Sequence, residues 1–221
     1  MAHAQTAAPQ TAPPQAATNL ESVLATMDKA AAEFKSAEAD FVWDTYQKVV
    51  NETDTQKGKI YFRRSGKKIQ MGSDITAPAP KYVLYDGDKV QIYEPKIDQV
   101  TQYRTAKNRG DFETFLVLGF GGGGHELRNS FEVKFAGVEN VDGIRAARLD
   151  LAPRSERARS MFSHILLWID LTRGIAVRQQ LLEPSGDYRD ARYSNIRLNQ
   201  DLPRDVFKLK TTSKTRVVTP Q

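Results

Sequence analysis

Over residues 20–35 the apolar side chains recur at helical spacing. Leu20, Val23, Leu24, Met27, Ala31 and Phe34 fall on one stripe, which predicts an amphipathic helix. Thr18 and Glu21 stand at capping-box spacing just ahead of it. A helix plugging a core and a helix lying over a binding cavity read alike at this level. After Ser36 the period drops to two, the period of a strand. Ala39, Phe41, Trp43 and Thr45 alternate with Asp40 and Asp44. Ile60 and Phe62 alternate with Lys59, Tyr61 and Arg63, and Ile69 and Met71 with Lys68 and Gln70. Residues 82–85 form an unbroken apolar run, and Asp86-Gly87 after it is a hairpin-turn signal. Val90, Ile92 and Tyr93, then Val100 and Tyr103, complete about six strands with no helix between them, the pattern of an antiparallel sheet.

One segment interrupts the alternation. Asp111 is placed to cap a short helix carrying Phe112, Phe115, Leu116 and Leu118, and the run from Gly119 to Gly124 ends it. Strands resume at Phe131, Val133 and Phe135. Asp142-Gly143 turns into Ala147, Leu149 and Leu151. Residues 165–169 pair through Thr172-Arg-Gly174 with 175–182, and Ser185-Gly186 leads into 188–196. A last short strand is expected over 206–209, after Pro203. The total is about eleven strands, and a sheet that wide curls toward a barrel or half-barrel. The expected fold is therefore mainly β with α: one antiparallel sheet of about eleven strands curled into an incomplete β-barrel. The N-terminal helix and a short helical lid over 112–120 would cover it.

Residues 1–18 are mostly Ala, Gln, Pro and Thr, too poor in bulky apolar side chains to offset the entropy of ordering. They read as a disordered leader or linker, with residues 19–221 as one domain. Ala2-His3-Ala4 has the small-x-small form that precedes a signal-peptidase cut. The sequence is thus expected to begin near the processing site of an exported protein.

Composition narrows the chemistry. There is no cysteine, which removes disulfides, thiolate metal sites and cysteine nucleophiles together. The net charge of +5 is spread among acidic residues, as in Arg154-Ser-Glu-Arg-Ala-Arg159, rather than gathered in the stripe a nucleic acid would need. His3, His125 and His164 stand apart with no ligand spacing, so no metal is expected. Gly119, Gly121 and Gly124 match G-x-G-x-x-G, but a helical segment precedes them and a strand follows, the reverse of a dinucleotide site. No lysine follows the run to make a P-loop, and no serine lies in a G-x-S-x-G elbow. No cofactor and no catalysis are expected.

The positive signal is apolar. Phe41, Trp43, Ile60, Phe62, Ile69, Met71, Tyr82, Leu84, Ile92, Phe115, Leu116, Leu118 and Phe120 are candidates to line a lipid pocket, although each reads equally as core. Arg64 stands out. If Ile60 and Phe62 point inward, alternation points Arg64 inward too. It either snorkels at the sheet rim or latches a cover by bonding the carbonyls of a helix end.

At this point the chain resembles the LolA family, soluble periplasmic carriers of outer-membrane lipoproteins, over about residues 20–220. The resemblance rests on the opening helix and on Gly58-Lys-Ile-Tyr-Phe-Arg-Arg64. It continues through Tyr85-Asp-Gly-Asp-Lys-Val-Gln-Ile-Tyr-Glu-Pro95 with Gln99-Val100, Leu171-Thr-Arg-Gly174, and Tyr193-Ser-Asn-Ile196 followed by Pro203 and Phe207. It implies an incomplete barrel with a helical lid, and it places the family's lid-bonding arginine on Arg64, followed here by Ser65 instead of the usual proline. The lid would fall on 112–120, with the glycine run a departure that suggests a more mobile lid. Acyl chains of lipoproteins or other lipids would lie between lid and sheet. The partners implied are an inner-membrane ABC-type release complex and an outer-membrane acceptor, with the carrier a periplasmic monomer. A carrier of another lipid, such as a glycolipid, and a lipid- or lipoprotein-sensing regulator are the alternatives.

Overall fold

The computed structural model describes residues 18–66, 68–104 and 118–220. The leader over residues 1–17 and the expected helix carrying Phe112, Phe115 and Leu116 lie outside the described residues.

Helix α1 spans Leu20–Glu33. Its cap is Asn19 rather than Thr18. The Asn19 side chain accepts from the Ser22 N–H at 2.9 Å, and Ser22 Oγ accepts from the Asn19 N–H at 3.0 Å. The capping box is thus shifted by one residue and closed by a serine, which leaves Glu21 free for another partner.

Twelve strands follow among the described residues. The first six are β1 (Ser36–Gln47), β2 (Glu52–Ser65), β3 (Lys68–Ala77), β4 (Lys81–Tyr85), β5 (Lys89–Glu94) and β6 (Gln99–Arg104). A short helix α2 (Leu127–Ser130) leads into β7 (Phe131–Val141) and β8 (Ile144–Pro153). Helix α3 (Glu156–Met161) precedes β9 (His164–Asp170), β10 (Ala176–Leu182), β11 (Tyr188–Leu198) and β12 (Arg216–Val218). All twelve form one sheet in the order β12-β6-β5-β4-β3-β2-β1-β11-β10-β9-β8-β7. The two halves of the chain join where β1 pairs with β11. Neighbours are antiparallel except β12 and β6, which are parallel. Strands β7 and β12 remain at the edges, so the sheet is curled but not closed. Register shifts in the β1–β11, β2–β3, β7–β8 and β9–β10 pairs mark bulges, which add local twist and bend the sheet.

The concave face holds most of the core. Val23, Leu24 and Met27 of α1 pack on Leu149, Leu151, Ile165, Leu167 and Ile169 of β8 and β9. Phe34 and Phe120 pack on Phe41, Phe62, Met71 and Tyr85 of the β1–β4 half.

The expected strand over 206–209 is not formed. That segment crosses the outer face of β2–β4 instead. Val206 O lies 2.5 Å from where a Cβ on Gly72 would sit, and the Arg63 guanidinium stacks 4.4 Å from the Phe207 ring. Val206 and Phe207 are half-buried against this face. The free edge of β6 is taken by Arg216–Val218. Thr212 and Thr215 anchor the approach, donating from their hydroxyls to Asp98 at 3.2 and 2.6 Å.

Candidate ligand-binding site on the concave face

Strand register sorts the candidate residues by face. Phe41 pairs with Tyr193, Trp43 with Ala191, and Ile60 with Ala39. Phe62 pairs with Met71, and Met71 in turn with Tyr85. Arg64 pairs with Ile69. Paired residues share a face, so Phe41, Trp43, Ile60, Phe62, Ile69 and Met71 form one apolar floor. Val83, Ile92 and Val90 extend it toward β5.

Tyr82 and Leu84 do not join it. They pair with Asp74 and Gly72, and Leu84 lies beside Gly72 beneath Val206. With Tyr61, Pro203 and Val206 they line a cleft of about 300 Å³ on the outer face. The run 82–85 is apolar on both sides because both are covered, so its composition carries no alternation to read.

The cover lies across the floor. Leu118 packs with α1, and Phe120 stacks on Phe62 with ring centroids 4.9 Å apart and meets Tyr193 edge-on at 5.0 Å. Phe115 and Leu116 lie outside the described residues. Arg64 ties cover to floor. Its Nη2 donates to Gly121 O at 2.7 Å and to Ala31 O at 3.4 Å, and its Nε donates to Phe34 O at 3.1 Å. A guanidinium at the C-terminal end of α1 is favourably placed, because the last carbonyls of a helix carry partial negative charge.

The glycine run is docked rather than loose. A Cβ on Gly119 would meet Ala176 Cβ at 2.2 Å, one on Gly121 would meet the Phe34 ring at 2.6 Å, and one on Gly124 would meet Leu24 O at 2.4 Å. The Ala176 N–H donates to Gly119 O at 2.9 Å. The glycines let the backbone come close to α1 and β10 over residues 119–124.

A second cleft of about 630 Å³ opens on the outer face around Asp40, Lys59, Arg173, Asn195 and Arg197. It is polar and its cations are already paired. Lys59 contacts Asp40 at 2.7 Å, Arg173 contacts Asp170 at 2.6 Å, and Arg197 contacts Glu38 at 2.6 Å. Ile144 and Ile196 are the only aliphatic residues of its lining, so it offers an acyl chain less apolar surface than the concave floor.

The sequence profile of the family described as outer membrane lipoprotein carrier protein LolA matches residues 32–210. The chain belongs to the LolA family. It is similar to an outer-membrane lipoprotein carrier protein of Dechloromonas aromatica (strain RCB), with 26% identity over 174 residues, 79% of this chain and 76% of that one. It is also similar to one of Bordetella avium (strain 197N), with 27% identity over 187 residues, 85% of this chain and 82% of that one. The crystal structure of an uncharacterized conserved protein from Thermus thermophilus has the same fold, with a TM-score of 0.57 at 12% identity, covering 90% of this chain and 98% of that one.

In this LolA-family chain a clasp fastens the cover from the other side. His125 does not stand alone: its Nδ1 contacts Asp28, its Nε2 lies 3.1 Å from Glu21 Oε2, and its N–H donates to Asp28 Oδ1 at 3.1 Å. Arg128 also pairs with Glu21. Two carboxylates facing the two ring nitrogens suit an imidazolium, and the hydrogen bonds to Asp28 first and Glu21 second raise its pKa. Bonds from Arg128 and His125 hold Glu21 low. At Asp28, burial opposes ionisation, but the His125 bonds outweigh it and the pKa falls. The sequence carried one hint: Glu21 and Asp28 stand two turns apart on one side of α1. His164 pairs with Asp150 at 2.6 Å.

The floor is not wholly apolar. The Tyr193 hydroxyl donates to Gln179 Oε1 at 3.3 Å, and burial pushes its pKa up to about 12. Trp43 Nε1 and Ser73 Oγ are buried without a hydrogen-bond partner.

Proposed function

We propose that this protein is a carrier that holds the acyl chains of lipoproteins, or of a related lipid, between its concave face and the cover formed by α1 and residues 118–130. The observation that carries the reading is a largely apolar floor from Phe41 to Ile92 beneath a cover fastened by hydrogen bonds. Membership of the LolA family and the names of the two relatives support it.

Phe120 lies between Phe62 and Tyr193, where a chain would lie, so loading displaces it. Each buried CH₂ contributes about 0.8 kcal/mol, and a long chain therefore offsets the loss of these contacts without any covalent step. Unloading reverses the exchange as Phe120 and the Arg64 bonds return. Function is binding, not catalysis. The carrier works in the periplasm, receiving cargo from an inner-membrane ABC-type complex and delivering it to an outer-membrane acceptor.

Incubating purified protein with a diacylated peptide, followed by native mass spectrometry, tests the reading. A one-to-one complex with the acylated peptide, absent with the unacylated one, is expected. Failure to take up any acylated peptide or extracted lipid overturns it.

A further inference from the structure

We infer that the floor recognises the carbonyl at the root of an acyl chain as well as its hydrocarbon, through the indole N–H of Trp43. The inference rests on the carrier reading and deepens it. The ligand class becomes ester- or amide-linked acyl chains, as against lipids that offer hydrocarbon alone.

Trp43 stands on the floor side of β1, opposite Gln56 of β2 and Ala191 of β11, with its ring 4.6 Å from that of Phe41. Its Nε1 is buried and has no hydrogen-bond partner. A buried indole N–H ordinarily finds an acceptor, because leaving it dry forfeits its bond to water. The ring also fixes the direction of this N–H, so it cannot rotate to a partner as a hydroxyl can. One candidate within the protein is the Tyr193 hydroxyl. Trp43 lies close enough to pull slightly against the burial that raises the Tyr193 pKa, yet no hydrogen bond of acceptable geometry forms. The Tyr193 O–H donates to Gln179 Oε1 and its oxygen keeps lone pairs, but the indole N–H does not meet them in hydrogen-bond geometry.

The other tryptophan shows what a satisfied indole looks like here. Trp168 faces the opposite side of the sheet, and its Nε1 donates to Glu139 Oε2 at 2.7 Å. An unpartnered donor on the floor calls for an acceptor that arrives with the ligand. A hydrocarbon offers none, and a carboxylate or phosphate would need a cation. The Arg64 guanidinium is occupied with main-chain oxygens. A neutral carbonyl fits: it accepts one hydrogen bond and brings little charge into an apolar site.

The test compares methyl palmitate with hexadecyl methyl ether, which have the same chain with and without the carbonyl. Each displaces a fluorescent naphthalene sulfonate probe from the intact protein. The wild type should bind the ester ~10-fold more tightly than the ether, the equivalent of ~1.4 kcal/mol. Trp43→Phe keeps the ring and removes the N–H. It should abolish the advantage of the ester, so that the two probes bind the variant with equal affinity. Equal affinity of the wild type for both probes, or a preference that survives Trp43→Phe, overturns the inference while the carrier reading stands. If neither probe binds, both fall. Should the variant not fold, isotope-labelled wild type decides: the Trp43 indole proton resonance should move with the ester and not the ether, with Trp168 as the unmoving reference. The same response to both probes overturns the inference.

Discussion

Arg64 reaches from β2 to Gly121, donating to its main-chain oxygen at 2.7 Å, and the same guanidinium bonds Phe34 O at 3.1 Å. One side chain thus fastens both the end of α1 and the glycine segment to the sheet. Charge-assisted bonds of this kind contribute about 1.5–3 kcal/mol each where they are dry, and less where water reaches them. Arg64 is half-buried. Arg64→Leu should therefore lower the unfolding free energy in urea by about 2 kcal/mol, and should speed release of a bound acyl probe in stopped-flow fluorescence. Unchanged release would take Arg64 out of the mechanism.

The two faces of β4 and β5 should respond differently to substitution. Ile92 belongs to the floor, and Tyr82 lies under residues 203–210 on the outer face. Ile92→Asp would place a carboxylate among apolar chains, and acyl-probe affinity should fall at least ~10-fold, which corresponds to ~1.4 kcal/mol. Tyr82→Ser should cost about 1 kcal/mol of stability and leave affinity unchanged. A loss of probe binding in Tyr82→Ser would place the ligand on the wrong side of the sheet for this reading.

The His125 clasp makes stability depend on pH. Its pKa is raised by Asp28 and Glu21, so its contribution is full below about 6.5, the ordinary histidine value, and is lost as pH rises through the folded-state value. The depressed Glu21 and Asp28 act in the opposite sense: their contributions are present above about pH 4–5 and are lost as pH falls. Melting temperature should therefore be highest between about pH 5 and 6.5, and should decline toward about pH 9. In His125→Gln the alkaline decline should be shallower. Parallel curves for the two proteins, measured by scanning calorimetry, would show that the clasp has no part in it.

Gly124→Ala tests the docking of the glycine run by sign. In open space the substitution stabilises a protein by about 0.4–1 kcal/mol, by restricting the unfolded chain. Here the new methyl would sit 2.4 Å from Leu24 O and 2.6 Å from Leu24 Cα. The cover must then lift from α1, and overpacking of this kind costs about 1–3 kcal/mol. A stabilised variant in urea denaturation would mean that the segment does not pack against α1 as described.

Much of the fold is written in local periodicity. The switch from the helical stripe Leu20–Phe34 to the alternation of Ala39, Phe41 and Trp43 places the end of α1 and the start of β1 close to where the structure has them. The same alternation puts Phe62 and Met71 on one face and turns Arg64 inward beside Ile69. These readings hold because a strand has a side-chain period of two and one face of this sheet is polar over most of β1 and β2.

Where that contrast vanishes, register and distant partners decide. Residues 82–85 are apolar on both faces, and only pairing with β3 turns Val83 and Tyr85 to the floor and Tyr82 and Leu84 away from it. The reason both faces are apolar is residues 203–210, which come from the far end of the chain to cover the outer one. The final strand is Arg216–Val218, because a sheet edge recruits backbone N–H and C=O groups and asks little of side chains. His125 finds Asp28 across 97 residues, and Gly121 reaches Arg64 across 57. Alternation within β1, β2 and β3 made much of the apolar floor legible from the residues alone. What covers that floor, and what holds the cover down, depends on contacts between segments far apart in the chain, and no short-range pattern encodes them.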